Sequence, residues 1–335
     1  MPIPAPLAPR RALVVANPTA GTVRAGLFED VVRMCRERIE SVGVHRTTHP
    51  GSATAAVRAA TGRGGAGVDL VVAVGGDGTV REVVEGLVTP GGPAGAALAV
   101  VPAGTGNSNY RTLWADRPWQ ETLRATVSGD PRAAELRTMD LGSLAETGGL
   151  VLLGACSGLV AEGLVAARAV RATGRERYAR ALPDAAAAHR PYPGRVTVDG
   201  AVLYEGDTVL ANVGGGRYRG GQYLILPYSE LDDGLLDVCV VGAEVPAVDV
   251  PDLAREGRLH ERAGVLHGRG RRVVVERLDG QPLCFEYDGE LQQLNWARMT
   301  VDVLPGALAV WGAPTKEVTR VDTEGAVPLG GVARA

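Results

Sequence analysis

Short, unbroken apolar runs recur through the first part of the chain, each ending in glycine, asparagine or proline. "RALVVANPTAG" reads as a buried strand that ends in a turn at Asn17, Pro18 and Gly21. Residues 28–42 then put Val31, Cys35, Ile39 and Val42 at helical spacing, and "VGVHRTT" reads as a second strand. "GSATAAVRAATG" is alanine-rich, with a serine start and a glycine stop, and predicts a short helix. "DLVVAV" is a third strand, apolar throughout, as expected when both faces of a sheet are covered. Residues 79–88 predict a helix, and "AALAVVPAGTGN" predicts a fourth strand running into a glycine loop. This alternation implies a parallel sheet with helices on both faces.

After about residue 135 the rhythm changes. Short apolar runs cluster, among them "GLVLLGAC", "GRVTVDG", "DTVLANV", "QYLILP", "GLLDVCVV", "RRVVVERL", "PLCFEYDG", "RMTVDVL" and "ALAVWG", with Gly, Asp and Pro between them. That pattern predicts a mostly antiparallel second domain, a β-sandwich, interrupted by one helical insert at about 159–190. The expected organisation is therefore α/β with two domains. Residues 1–135 form a parallel α/β domain and 136–312 a β-rich domain whose C-terminal segment is free to return to the first. Residues 313–335 form a polar tail.

Composition narrows the functional classes. The 335 residues are enough for two cores. A net charge of −3 gives no global field to attract nucleic acid or anionic membrane, and 4% aromatics supply few base-stacking platforms. Cys35, Cys156, Cys239 and Cys284 lie far apart, with no metal-ligand spacing, which fits a reducing cytoplasm. Cys156 and Cys239 sit in apolar runs and read as core. His45, His49, His189, His260 and His267 show no metal spacing and read as surface or loop residues. No apolar stretch approaches the ~18 residues of a membrane span, so any membrane contact is peripheral. The proline-rich start lacks the apolar centre of a signal peptide. A homodimer is compatible with all of this.

"VVAVGGDGTVREVV" poses the chemical question. Gly75, Gly76 and Gly78 free the backbone to bend sharply and approach a ligand. Ligands of open parallel sheets bind beyond the carboxyl ends of the strands. Thr79 and Glu82 form a Thr-x-x-Glu capping box, the ordinary reading of part of this motif, worth on the order of 1 kcal/mol. The ordinary reading of Asp77 is a turn residue satisfied by backbone N–H groups. The functional reading is a carboxylate beside bound phosphates, which needs Mg²⁺ between the two anions. "NPTAG" and "PAGTGN" lie at strand ends on the same rim, and three such loops favour the functional reading. None of them is a Walker A motif, and none is a clean dinucleotide fingerprint.

In this order, "NPTAG", "GGDGT" and "PAGTGN" resemble the diacylglycerol kinase catalytic-domain family, which includes bacterial lipid kinases and sphingosine kinases and is distantly related to NAD kinases. "GGGRYRGG", "PYSELDDGLLDV", "YDGEL" and "VDVLPGALAVW" resemble its later blocks, so the likeness runs over roughly residues 11–312. The resemblance implies an ATP-dependent, Mg²⁺-requiring kinase with a nucleotide in the cleft between its domains, acting on a lipid hydroxyl such as that of diacylglycerol or a long-chain base. It implies that Asn17, Gly21 and Thr47 (or the adjacent Thr48) line the nucleotide site. Gly75, Gly76, Asp77, Gly78, Thr79, Val80 and Arg81 would hold the phosphates, joined by Gly104, Thr105, Gly106 and Asn107. Asp77 would help to place the catalytic magnesium. Glu290 would be the general base, and Asp288 would orient it or bind metal. A second Mg²⁺ would take the Asp233 side chain and the carbonyls of Glu230 and Leu235. Asp140 of "MDLG" matches an acidic family position of less defined role. By itself, "YDGEL" is an ordinary Asp-Gly hairpin signal, and the Asp-rich loop an ordinary turn.

The chain departs from the family pattern at four positions. Ser108 stands where a second acid is usual, Arg81 and Gly215 where Asn is usual, and Gln222 where a third glycine is usual. Arg217, Tyr218, Arg219 and Tyr223 add polar groups near the cleft, although both arginines have an ordinary reading as solvated surface. These changes open an alternative: the same transfer to a small non-lipid alcohol such as a sugar, a nucleoside or a specialised metabolite. An NAD kinase is disfavoured by "YDGEL", and a non-catalytic nucleotide-binding module by the intact Asp77, Asp288 and Glu290.

Overall fold

The structure, a computed structural model, describes residues 8–21, 26–62, 67–89, 92–93, 95–172, 174–292 and 295–314. The predicted tail from about residue 315 lies outside them. In the first part, strands Ser41–Arg46, Arg11–Ala16, Leu70–Gly75 and Ala97–Pro102 lie side by side in that order, all parallel. Helix Leu27–Arg36 packs with Trp119–Ser128, and Ser52–Thr61 with Asp77–Leu87. Every residue of Leu70–Gly75 is buried, so both faces of the sheet are covered, as its unbroken apolar run requires.

Two predicted boundaries shift. The helix expected over 28–42 stops at Arg36, where the Ile39 N–H closes on the Cys35 carbonyl at 2.8 Å. Val42 continues the helical spacing only by coincidence: it belongs to the edge strand Ser41–Arg46 and pairs with Ala12. The helix expected to start at Thr79 starts at Asp77, with Gly76 as its N-cap. No capping box forms. Thr79 Oγ1 instead accepts from Asn17 Nδ2 at 3.4 Å, and Glu82 Oε2 accepts the Ala53 N–H at 3.2 Å.

The remainder is an antiparallel sandwich continuous with the first sheet. Strand Arg298–Gly312 touches Ala97–Pro102 through Val310 and runs on to Arg272–Arg277, then Tyr192–Val198, Ala201–Gly214, Ala155–Gly158, Phe285–Tyr287 and Glu290–Gln292. Helices Leu159–Ala167 and Gly174–Ala188 form the expected insert. They cover one face of the sandwich together with the short helix Val250–Arg255, which the pattern did not predict. Cys156 and Cys239 are fully buried there, and burial pushes the Cys239 thiol up to about 12, as expected of core residues. "QYLILP" yields only the short strand Tyr223–Leu224, because the N–H groups of Ile225 and Leu226 both turn back to the Arg217 carbonyl. Among the described residues, no helix is long and apolar enough to cross a membrane.

Candidate active site

The three glycine loops meet on one rim. The Asn17 N–H donates to the Val74 carbonyl at 3.0 Å, and the Ala103 N–H to the Gly75 carbonyl at 2.9 Å, tying the neighbouring strand ends together. Asn17 Oδ1 accepts from the N–H and hydroxyl of Thr19, and a Cβ added at Gly21 would lie 3.2 Å from Thr105 Cγ2. Thr47 is held at the same rim by its N–H to the Ala16 carbonyl at 2.8 Å, while the Thr48 N–H turns to Ser52 Oγ. Val80 is the exception: it is 1% exposed and faces the core.

The second and third loops touch backbone to backbone. A Cβ at Gly104 would lie 2.4 Å from Gly76 Cα, and one at Gly76 would lie 3.1 Å from Gly104 Cα. No flexible side chain can yield there. Gly104→Ala is expected to part the loops and to cost about 1–3 kcal/mol of stability. Gly78→Ala meets nothing within 4 Å. Thermal unfolding of the two variants checks this, with only Gly104→Ala expected to lower Tm.

Asp77 is the knot of the rim. Its Oδ2 accepts the Ser108 N–H at 3.1 Å, and its Oδ1 accepts the Asn109 N–H at 3.0 Å and the Asn109 Nδ2 at 2.9 Å. The carboxylate therefore sits at the N-terminus of helix Ser108–Trp114, where a negative charge complements the helix dipole. It also begins helix Asp77–Leu87, in which Thr79 and Val80 donate to the Gly76 carbonyl at 3.0 and 3.1 Å and the N–H groups of Asp77 and Gly78 precede the helical ladder. Asn107 braces the turn between, accepting the Gly104 N–H at 2.9 Å and donating to the Gly104 carbonyl at 2.8 Å. A Cβ at Gly106 would lie 2.8 Å from Asp77 Oδ2.

The acidic hairpin comes from the other lobe. Asp288 and Gly289 have φ of 50° and 85°, the positive pair that a two-residue hairpin turn needs, and Tyr287 pairs with Glu290 across it. Asp288 accepts the N–H groups of Leu152 and Leu153 at 2.7 Å and of Gly154 at 3.2 Å. Burial pushes its carboxyl above the usual range, and these donors oppose the push. Asp288 thus pins the turn, while Glu290 stays exposed at its far side. The hairpin faces the glycine rim: the Arg81 guanidinium lies 4.7 Å over the Tyr287 ring. A second bridge crosses the lobes from helix Ser108–Trp114, where Arg111 lies 5.0 Å over Tyr218 and donates to the Gly221 carbonyl.

The family model described as "Diacylglycerol kinase catalytic domain" matches residues 11–139, and the "YegS C-terminal NAD kinase beta sandwich-like domain" matches residues 155–312. A Pseudomonas aeruginosa protein named "Probable lipid kinase YegS-like" is 30% identical over 290 residues, 82% of this chain and 86% of its own. The chain belongs to the diacylglycerol kinase catalytic-domain family. A Mycobacterium tuberculosis "Diacylglycerol kinase" is 31% identical over 189 residues, 53% of this chain, and the match spans only 56% of that relative's length. The crystal structure of a diacylglycerol kinase from Bacillus anthracis, 21% identical, superposes with a TM-score of 0.66 over 92% of this chain and 99% of its own, a likeness of fold.

Other family positions take definite places. Asp140 accepts the N–H groups of Gly234 and Gly306 at 2.6 Å each, clamping the acidic loop against the irregularity of strand Arg298–Gly312. Asp233 accepts the Leu235 N–H at 3.0 Å and pairs with Arg269 at 2.7 Å, and Asp232 pairs with Arg137 at 3.1 Å. Burial pushes Asp237, beside the same Arg269, up to about 6. Among the described residues, no group of three or more His, Cys, Asp or Glu is arranged to hold a metal. Gly215 and Gln222 lie in the loop that carries Tyr218, where the Gly215 carbonyl accepts from Ser229 Oγ at 2.7 Å.

Sequence reasoning missed Glu286. It is 2% exposed, and its Oε2 accepts the Gly289 N–H at 2.7 Å, bracing the hairpin from below. Burial pushes its carboxyl up to about 7, against the pull of Arg219. Arg219 is not solvated surface: it is buried and donates to Asn212 Oδ1 at 2.7 Å and to the Leu153 carbonyl at 3.2 Å. Arg217 likewise donates to the Ser229 carbonyl at 3.1 Å. His189, expected at the surface, is buried with its Nδ1 2.7 Å from Glu162 Oε2. The only available signal for Glu286 was a charged residue inside an apolar strand pattern.

Proposed function

We propose that this chain is an ATP-dependent kinase that transfers the terminal phosphoryl group to a hydroxyl of a lipid, such as diacylglycerol or a long-chain base. The observation that carries the reading is the approach of the Glu290 hairpin to the helix that begins at Asp77, through Arg81 and Tyr287 at 4.7 Å. An anion at the start of that helix and a hydroxyl at Glu290 would then share one cleft. Glu290 is exposed to an incoming acceptor and takes its proton, while Asp288 orients the hairpin and Asn17, Gly21, Thr47 and the Gly104–Asn107 loop line the nucleotide. The names of the relatives support the lipid acceptor.

Asp77 has three donors on its two oxygens, and a carboxylate offers about four lone-pair sites. That donor set suits a Mg²⁺ held mainly by phosphate oxygens and water, with Asp77 supplying at most one bond. When bound, the ion would neutralise phosphate charge. The acidic loop is different, because Arg269 already balances Asp233. A Mg²⁺ held by Asp233 and the carbonyls of Glu230 and Leu235 would compete with that guanidinium. Arg269→Met is expected to give a protein whose Tm rises by about 3 °C or more on adding millimolar Mg²⁺, while wild type responds less. An equal response in both would show that Arg269 does not compete.

The departures at Arg81, Ser108, Gly215 and Gln222 favour a smaller, more polar acceptor as the second reading. An acceptor screen with ATP and Mg²⁺, reading ADP release across acylglycerols, long-chain bases, sugars, nucleosides and polyols, tests both readings. Turnover confined to the polar alcohols would displace the lipid reading.

A further inference from the structure

Arg81 stands between the two halves of the cleft. It lies four residues after Asp77, on the same face of the helix. Helical side chains lean toward the N-terminus, so a swing of Arg81 off Glu85 would bring its guanidinium toward the helix start, where an anion would rest. On its other side is Tyr287, which directly precedes the Asp288–Gly289 turn and pairs with Glu290. The side chain is 19% exposed. The guanidinium carbon lies over the ring and its Nε is buried, and stacking of this kind leaves in-plane N–H groups free to donate. The ionic partner of Arg81 is Glu85 at 3.2 Å, one turn further along the same helix. Arg111 makes the matching contact with Tyr218, but it also donates to the Gly221 carbonyl and pairs with Asp116 at 3.2 Å. Its edges are engaged by Gly221 on the other lobe and by Asp116 on its own.

We propose that Arg81 is a catalytic residue whose guanidinium contacts the transferring phosphoryl group on its way from nucleotide to acceptor. This rests on the kinase reading above. As the bond from the acceptor oxygen to phosphorus forms, the bond from phosphorus to the bridging oxygen of the diphosphate breaks. The electron pair of the broken bond leaves with the nucleoside diphosphate, and the acceptor proton goes to Glu290. Arg81 exchanges no proton and keeps its charge throughout. Its planar edge offers paired N–H groups to two phosphoryl oxygens, which the asparagine usual at this family position cannot match in charge.

The test uses ADP, Mg²⁺ and aluminium fluoride, which together mimic the transferring group, with dioctanoylglycerol micelles as acceptor. Wild type is expected to bind ADP ~10²-fold more tightly when aluminium fluoride is present. Arg81→Met should lose that gain yet keep its affinity for ADP alone within about threefold, with kcat lowered ~10²- to 10³-fold. Arg81→Lys keeps charge and stem and carries the test if the methionine variant does not fold. It should lose most of the gain, because an ammonium lacks the paired edge. A full gain in Arg81→Lys or Arg81→Met overturns the proposal. So does an equal loss of ADP binding with and without fluoride, which is what a mere latch between the lobes would give. A wild-type chain that binds no ADP overturns the kinase reading and this proposal with it. Turnover in wild type with an unchanged Arg81→Met overturns this proposal alone.

Discussion

Glu290→Gln is expected to lower phosphoryl transfer by ~10²- to 10⁴-fold while nucleotide affinity stays within about twofold of wild type. The amide keeps the size of the side chain and cannot take the acceptor proton. Fold should survive, because Glu290 is exposed and the hairpin is held by other groups. Its turn is set by the backbone of Asp288 and Gly289, pinned by three N–H groups to Asp288 and braced by Glu286. Initial rates with ATP, beside calorimetric binding of ADP, separate the two effects. Retained turnover in this variant would remove Glu290 from the chemistry.

Asp77→Asn should be damaging in a different way. Asp77 accepts from three N–H groups, all on the buried residues Ser108 and Asn109, and an amide nitrogen in place of one oxygen faces those donors with another donor. Leaving buried donors unpaired costs about 1–3 kcal/mol each. Helix Ser108–Trp114 would lose its N-terminal acceptor, and with it the register of the loop from Gly104 to Asn107 against Gly76. Loss of stability and loss of nucleotide binding should therefore appear together, in contrast to Glu290→Gln. Denaturant unfolding and ADP binding of the same preparation check this. A variant of wild-type stability that has lost only turnover would show Asp77 to act on the substrate side alone.

These two residues also show what a sequence can reveal. The rim was legible because its three glycine loops each end an apolar strand, a local pattern repeated on one side of one sheet. The hairpin was legible too, since Asp-Gly carries its own turn geometry. Asp77 needed the fold: its donors lie 31 and 32 residues downstream, and nothing near "GGDGT" announces them. Thr79 and Glu82 matched a capping box in spacing, yet partners on other elements claimed both side chains. Asp233 pairs with Arg269, far along the chain, a partner that no local pattern announces. Glu286 was hidden in an apolar strand pattern, although it touches the turn that carries the proposed base. Val42 shows the converse error, a periodicity that continued past the helix it belonged to.

The account turns on where a nucleotide binds relative to Glu290. A crystal structure with Mg²⁺ and a non-hydrolysable ATP analogue tests this most directly. The account predicts phosphates at the start of helix Asp77–Leu87, against Gly76 and Gly104, with the terminal phosphate turned toward Glu290 and Arg81. Phosphates bound elsewhere, or a terminal phosphate on the side of the helix away from the hairpin, would contradict it.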